Sequence, residues 1–239
     1  MYDDIKVVHI DEPFKIKDLP LKNIYVLDNY LATELHHHFD DYIVANNLWS
    51  KTNQVGSGSP TGLPHHSFWG ATYYREDMKL EKNMDKLHTV FPYYLNRRLQ
   101  TEFGFKWERF QYMGLNSQTQ GLQGTTHADC QEEDEWNLSF LYYTNKFWNK
   151  EWGGTLRLYN EMQQGLDGRQ EHIDNHQIAE VEFKPNRLII FDGRIPHGAD
   201  APTPSARYID RRSLVLRGDE VRLVKEEEFF HANDRISHI

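Results

Sequence analysis

Thr126-His127-Ala128-Asp129-Cys130 and Gly193-Arg194-Ile195-Pro196-His197-Gly198 are the two stretches whose reading decides the fold. Around them lie strand-like runs: Trp136 to Tyr143, Gly153 to Tyr159, and the apolar Arg187-Leu188-Ile189-Ile190-Phe191, which reaches His197 through a short turn holding Gly193 and Pro196. After them comes Asp210-Arg211-Arg212-Ser213-Leu214. Side chains alternate along a strand, so His127 and Asp129 point to one side and can share one ion.

Two histidines and a carboxylate on one face of a metal leave the remaining positions open, a donor set that suits non-haem ferrous iron in oxygen chemistry. His197, delivered by a rigid strand, is the natural third ligand. The same donors also make catalytic zinc sites that activate water. A zinc hydrolase is therefore the rival reading, and it calls for a nearby general base and no anchor for an organic acid.

In their order, the His127-x-Asp129 pair, the strand end Tyr142-Tyr143, the strand start Gly153-Gly154-Thr155, distal His197 and the arginine-bearing strand carry a resemblance. Residues 107–217 resemble the catalytic core of the prolyl 4-hydroxylase type of iron(II)/2-oxoglutarate-dependent dioxygenases. The resemblance implies a mainly β protein with flanking helices: a double-stranded β-helix, or distorted jelly roll of two sheets, with N-terminal helices on the larger one. It implies Fe(II) on His127, Asp129 and His197 as metal and catalytic residues, with 2-oxoglutarate and O2 as cosubstrates. The implied reaction hydroxylates an unactivated C–H bond and releases succinate and CO2.

In that family a cation on the strand after the distal histidine receives the far carboxylate of 2-oxoglutarate, a task suited to the planar fork of arginine. The motif of arginine, any residue, a small residue, then an apolar one aligns with Arg211-Arg212-Ser213-Leu214, making Arg211 the anchor. Alternation agrees, since Arg211, Ser213 and Val215 share one face while Leu214 and Leu216 share the other. The gap from His197 to Arg211 is longer than the family commonly shows, so Arg207 is retained as a second candidate, and Arg212 and Arg217 also compete. Tyr143 matches a tyrosine that meets the same carboxylate, and Tyr112 matches a second tyrosine on the cosubstrate side. Trp136, Leu138, Phe140 and Tyr142 fall on the opposite face, where packing is their expected role.

A chain of 239 residues with 27 basic and 36 acidic side chains and a net charge of −9 carries no segment concentrating Lys and Arg as a phosphate-tracking surface would. Nucleic acid is not an expected partner, and no apolar run reaches the ~18 residues of a membrane helix. Cys130 is the single cysteine, and the start Met1-Tyr2-Asp3-Asp4 is acidic rather than a charged-then-apolar leader. The expectation is a cytoplasmic protein without disulfides or membrane association.

One domain is expected over 1–239: N-terminal strands, helices and a candidate lid loop in 1–106, the β-helix core in 107–217, and a charged tail in 218–239. Residues 5–27 read as edge strands. A helix runs to about Asn47, with Asp28 or Asn29 as its N-cap and Leu31, Leu35, Phe39 and Ile43 on one stripe. Its His36-His37-His38 fan around the axis too widely to hold one ion and read as a partly exposed face. Residues 50–75 have lid chemistry, with Gly56 to Gly62 for flexibility and His65, His66, Trp69 and Tyr73 for substrate contact. Trp152 and Arg157 are proposed as the opposite wall. A second helix spans 79–102, a strand runs from Trp107 to Gly114, and 116–124 and 160–180 are polar insertions; the His172 and His176 pair in the latter is not expected to bind metal. The substrate is unidentified. A proline-containing peptide comes first, a small molecule, free amino acid or sugar second, and a non-catalytic jelly-roll binding module is the reading from a different class.

Overall fold

A computed structural model of the protein describes residues 5–9, 23–45, 49–54, 67–75, 90–103, 109–122, 126–130, 138–160, 163–164, 170–171 and 177–219. The elements in chain order are β1 Ile5–His9, β2 Asn23–Leu27, α1 Thr33–Ala45, β3 Ser50–Gln54, β4 Ser67–Arg75, α2 Val90–Phe103 and β5 Arg109–Gln118. They continue with β6 Leu138–Tyr143, β7 Leu156–Tyr159, β8 Gln163–Gln164, β9 Gln170–Glu171, β10 Gln177–Val181, β11 Leu188–Asp192, β12 His197–Ala199 and β13 Arg211–Asp219.

Eight strands form the larger sheet in the order β1-β2-β11-β6-β13-β5-β4-β3, and β10-β7-β12 form a smaller one. The pairings within both are antiparallel. Strand alternation gives the larger sheet two apolar faces, because each of its central strands carries hydrophobic residues at both parities. One face, with Tyr25, Leu27, Met113, Leu115, Phe140, Tyr142, Ile190, Leu214 and Leu216, packs under Phe39 and Ile43 of α1 and Leu95 and Leu99 of α2. The other, with Ile24, Val26, Leu141, Tyr143, Ile189, Phe191 and Val215, meets Leu156, Leu158, Ala179 and Val181 of the smaller sheet. Each such side chain contributes roughly 1.5–3 kcal/mol by leaving water. This is the expected double-stranded β-helix with helices on the larger sheet, and the parities expected for 136–143 and 211–216 hold where described.

Several local expectations are corrected. Strand β5 does not stop at Gly114 but continues to Gln118, paired along its length with β13. A Cβ at Gly114 would sit 2.4 Å from the Tyr112 hydroxyl, so glycine here admits a neighbouring ring and does not end a strand. Within the insertion 160–180, Gln177–Val181 is a strand paired to β7. The candidate lid is a hairpin at its ends, β3 on β4, and its centre with His65 and His66 lies outside the described residues. Tyr73 is buried against α1 and α2, so it is core and not a substrate contact.

The α1 helix begins at Thr33, and neither Asp28 nor Asn29 caps it. Asp28 is instead buried, accepting from Arg187 Nε at 2.6 Å, Arg187 Nη2 at 3.1 Å, Lys184 at 2.9 Å and Lys6 at 3.1 Å. Burial alone would raise its carboxyl; the bonds from Arg187 and Lys184 outweigh burial and hold it below the usual carboxylate range. His36 also departs from its expected exposed face. It is buried, with Nδ1 2.6 Å from the Tyr142 hydroxyl and Nε2 2.9 Å from the Asn145 carbonyl, so it ties α1 to β6. His37 and His38 are exposed as expected. The 79–102 helix is described as α2 only from Val90, and His172 and His176 lie outside the described residues.

Candidate active site

His127 is joined to β12 by a reciprocal pair of backbone bonds: its N–H donates to the His197 carbonyl at 2.9 Å and its carbonyl accepts from His197 at 2.8 Å. That isolated bridge, not a strand of its own, orients the His127-x-Asp129 segment. The Asp129 N–H donates to the Gly193 carbonyl at 2.7 Å, tying the same segment to the turn before His197. Asp192 stiffens that turn, accepting from the Arg194 backbone at 2.9 Å and from Arg194 Nε and Nη2 at 3.0 Å each. Residues far apart in the chain are thus fixed side by side by backbone bonds.

The ligand atoms of His127, Asp129 and His197 lie within 4.8 Å of one another. His127 Nε2 is 3.4 Å from Asp129 Oδ1, and His197 Nε2 is 3.7 Å from Oδ2. Metal bonds of about 2.0–2.2 Å place neighbouring ligand atoms roughly 3 Å apart, so a small closing of this cluster would seat a divalent ion. His197 Nδ1 donates to the Ile195 carbonyl at 2.9 Å, which leaves the Nε2 lone pair facing the cluster. Burial pushes the His197 imidazolium down to about 4, despite the opposing charge of Asp129, so the ring is neutral and a competent donor. The Asp129 carboxyl is raised by burial, and the nearby Arg217 charge followed by His197 more than reverses this, keeping it ionised. Asp129 also accepts from the Ser139 hydroxyl and touches the Arg217 guanidinium. Among the described residues, its buried Oδ1 nevertheless has no well-aligned hydrogen bond. Two imidazoles and a carboxylate oxygen with a lone pair to spare are a donor set that fits ferrous iron.

The triad lies on a cavity between the sheets of about 550 Å3, counting its open mouth, with apolar walls that include Leu141, Leu156, Phe191 and Val215. At another end stands Arg211, which is buried. Its Nε donates to the Gly154 carbonyl at 2.9 Å, Nη1 to Gln118 Oε1 at 2.8 Å, and Nη2 to the Tyr143 hydroxyl at 3.3 Å. The guanidinium lies 4.9 Å from the Tyr143 and Phe183 ring centres. Among the described residues no carboxylate pairs with it. Burial lowers its proton affinity against the influence of Tyr143, and burial likewise raises the Tyr143 phenol, which stays protonated.

The other arginines separate cleanly. Arg207 is exposed on a turn, 4.7 Å from the Tyr208 ring centre, and does not line the cavity. Arg212 points the other way and donates to Asp40 of α1 at 2.6 Å. Tyr112 lies on the cavity side beneath Arg217, whose guanidinium is 5.2 Å from its ring centre, so it is at the triad's end and not beside Arg211. Arg157 faces outward from β7 and pairs with Asp200 at 2.8 Å and Glu180 at 3.2 Å, which removes it as a wall. Trp152 packs edge-on against Trp148 and Phe147. The sequence reading missed Gln118 and Ser139 as site residues. The parity of Gln118 opposite Arg211 was its only signal, hidden by ending the strand too early.

Both rival readings bear on what lines this cavity. Asp129 is the sole carboxylate among its described lining residues, so the second, basic carboxylate that a zinc hydrolase could use is not among them. A binding module would lack the buried cation that Arg211 supplies.

Residues 113–216 match the family model described as the 2OG-Fe(II) oxygenase superfamily. A prolyl-4-hydroxylase from Pseudomonas putida is similar in structure, with a TM-score of 0.51 at 14% identity over 82% of this chain and 91% of that one. A prolyl hydroxylase from Trichoplax adhaerens, in complex with a hypoxia inducible factor oxygen degradation domain peptide fragment, gives a TM-score of 0.50 at 17% identity, covering 87% of this chain and 86% of that one. At these identities the likeness is one of fold. No curated protein matches the chain significantly.

Proposed function

We propose which residues of this 2-oxoglutarate-dependent dioxygenase, whose residues 113–216 match the 2OG-Fe(II) oxygenase superfamily, do its work and on what substrate. His127, Asp129 and His197 hold the iron, Arg211 and Tyr143 hold the far carboxylate of 2-oxoglutarate, and the bond hydroxylated is a C–H bond of a prolyl residue in a peptide. The observation that carries the assignment is a buried guanidinium with no carboxylate partner among the described residues, on the same cavity as the triad. A buried cation left unpaired is costly, and an arriving carboxylate relieves that cost.

Iron with 2-oxoglutarate and O2 supplies the oxidising power: one oxygen atom ends in succinate, the other in the new hydroxyl, and CO2 leaves. The protein's residues arrange the rest. Gln118 and Gly154 aim the Arg211 fork, and Tyr143, accepting from Arg211, keeps its own proton to donate to the same carboxylate. Leu141, Leu156 and Val215 keep the intervening space apolar and strengthen both interactions by excluding water. Ser139 holds Asp129, and the Ile195 carbonyl holds the His197 tautomer.

The prolyl assignment draws on the Trichoplax protein, which shares the fold and is described with a bound peptide. Anaerobic ferrous titration with 2-oxoglutarate tests the site and should give a visible metal-to-ligand charge-transfer band. No band at saturating iron would overturn the iron and anchor assignments. Succinate release is then measured with proline-containing peptides, free proline, other small molecules and sugars. Stimulation by one of the latter and by no peptide overturns the prolyl assignment alone.

A further inference from the structure

Arg217 has no role in the chemistry described above, yet it touches the most buried member of the triad. It shares the cavity face of β13 with Arg211, Ser213 and Val215, at the opposite end of the strand. Its guanidinium contacts Asp129 Oδ1, with the carboxylate side chain 2% exposed and the arginine side chain 25% exposed. Its plane lies over Tyr112, and its Nε, although buried, has no hydrogen-bond partner among the described residues. The side chain is therefore held at one end by a charge and is incompletely satisfied along its length.

We propose that Arg217 is the occupant of the metal position: it neutralises Asp129 in the metal-free protein and must yield to the incoming ion. This rests on the reading of His127, Asp129 and His197 as the metal site. The donors define only two approaches. A metal that takes Oδ1, the oxygen nearer His127, meets the atom Arg217 touches and displaces the guanidinium directly. A metal that takes Oδ2, nearer His197, has a fixed positive charge across a single carboxylate, a like-charge contact that buried surroundings screen poorly. Either way Arg217 opposes loading, and its partial exposure gives the displaced guanidinium a route to the open mouth. Ser139, by contrast, is a neutral donor whose hydroxyl can stay on a metal-bound carboxylate.

Two linked consequences have opposite signs in the two states. Without Arg217, metal-free protein holds a buried carboxylate lacking its cation and is less stable, as breaking a buried ion pair requires. The same change removes the competitor, so metal binds more tightly and the stabilisation it confers grows. A residue that merely supported Asp129 as a ligand would give the reverse, weaker metal binding on its removal.

The test titrates Mn(II) into the full-length protein, following the free-ion electron paramagnetic resonance signal. Arg217→Met should bind Mn(II) about 10- to 100-fold more tightly than wild type, the scale on which neighbours of ligands alter metal affinity. Arg217→Lys, which keeps the charge and loses the fork, should fall between them. Metal-free Arg217→Met should melt below wild type, with the gap closing at saturating Mn(II). Equal or weaker binding by Arg217→Met overturns the proposal. If Arg217→Met folds only with metal present, Arg217→Lys decides by the same titration, and affinity no tighter than wild type is the overturning result. Wild type that takes up no Mn(II), or binding that survives His127→Ala unchanged, would overturn the metal assignment and this proposal together. Binding lost in His127→Ala but untightened in Arg217→Met overturns this proposal alone.

Discussion

Arg211 and Gln118 face each other in register on β13 and β5, and the guanidinium donates to the amide oxygen at 2.8 Å. The amide, itself buried, aims the fork along the cavity where a carboxylate from a neighbouring aspartate would have neutralised it. Arg211 is therefore held by neutral partners among the described residues, and its charge stays uncompensated by a carboxylate there.

Arg211→Gln should raise the KM for 2-oxoglutarate by about 100-fold or more, since an unpaired buried carboxylate costs about 3–5 kcal/mol. Metal affinity should stay within a few-fold of wild type. Gln118→Leu should raise the same KM less, by about tenfold, through a mis-aimed fork. Arg207→Ala, on its exposed turn, should change it little. Steady-state kinetics with 2-oxoglutarate as the varied component measures all three, and a larger effect from Arg207 would transfer the anchor to that residue.

Gly154→Ala should also act through the anchor. Gly154 has φ +82, and an added Cβ would lie 2.9 Å from Arg211 Cδ, so the substitution is strained and pushes the guanidinium off its carbonyl. A raised KM for 2-oxoglutarate with near-normal metal binding is expected. A normal KM would show that Arg211 can shift without cost.

His127→Ala, Asp129→Ala and His197→Ala should each abolish 2-oxoglutarate turnover while far-UV circular dichroism stays that of wild type. The backbone bonds that position these residues do not depend on their side chains. Full turnover with normal iron content in any one variant would remove that residue from the triad.

Asp28→Asn should destabilise the protein at neutral pH by about 3–5 kcal/mol, leaving Arg187 buried without its charge partner. The folded carboxyl is depressed, so its contribution is complete above the unfolded value of about 4 and declines as pH falls toward the folded one. Urea unfolding at a series of pH values should show wild type and variant converging in acid. A constant gap down to the acid transition would place the stabilisation in packing and not in the ion pair.

That His127, Asp129 and His197 come together and that Arg211 faces the same cavity was legible because the signals are local: a two-residue spacing, a strand followed by a turn and a histidine, and alternation along 211–217. What escaped depends on partners distant in sequence. Asp28 reads as a helix cap until Arg187, from β11's start, arrives to claim it. His36 reads as one of three surface histidines until Tyr142 and Asn145 enclose it. Gly114 reads as a stop because the Tyr112 ring that fills its place cannot be inferred from composition. Arg217 was visible as one of several arginines, but its contact with Asp129 exists only once β13 lies beside β6.

That position of β13 also bears on how the chain is made. The strand is inserted between β6 and β5, so the eight-stranded sheet cannot close until residues as late as Asp219 have emerged from the ribosome. Before then β5 and β6 both present unpaired edges, a hazard for a chain whose strands pair over long sequence distances. Arg211 and Arg217 enter with that last strand. A nascent chain carries His127 and Asp129 early, but it acquires Arg211 and Arg217 in one step, together with the closure of its core.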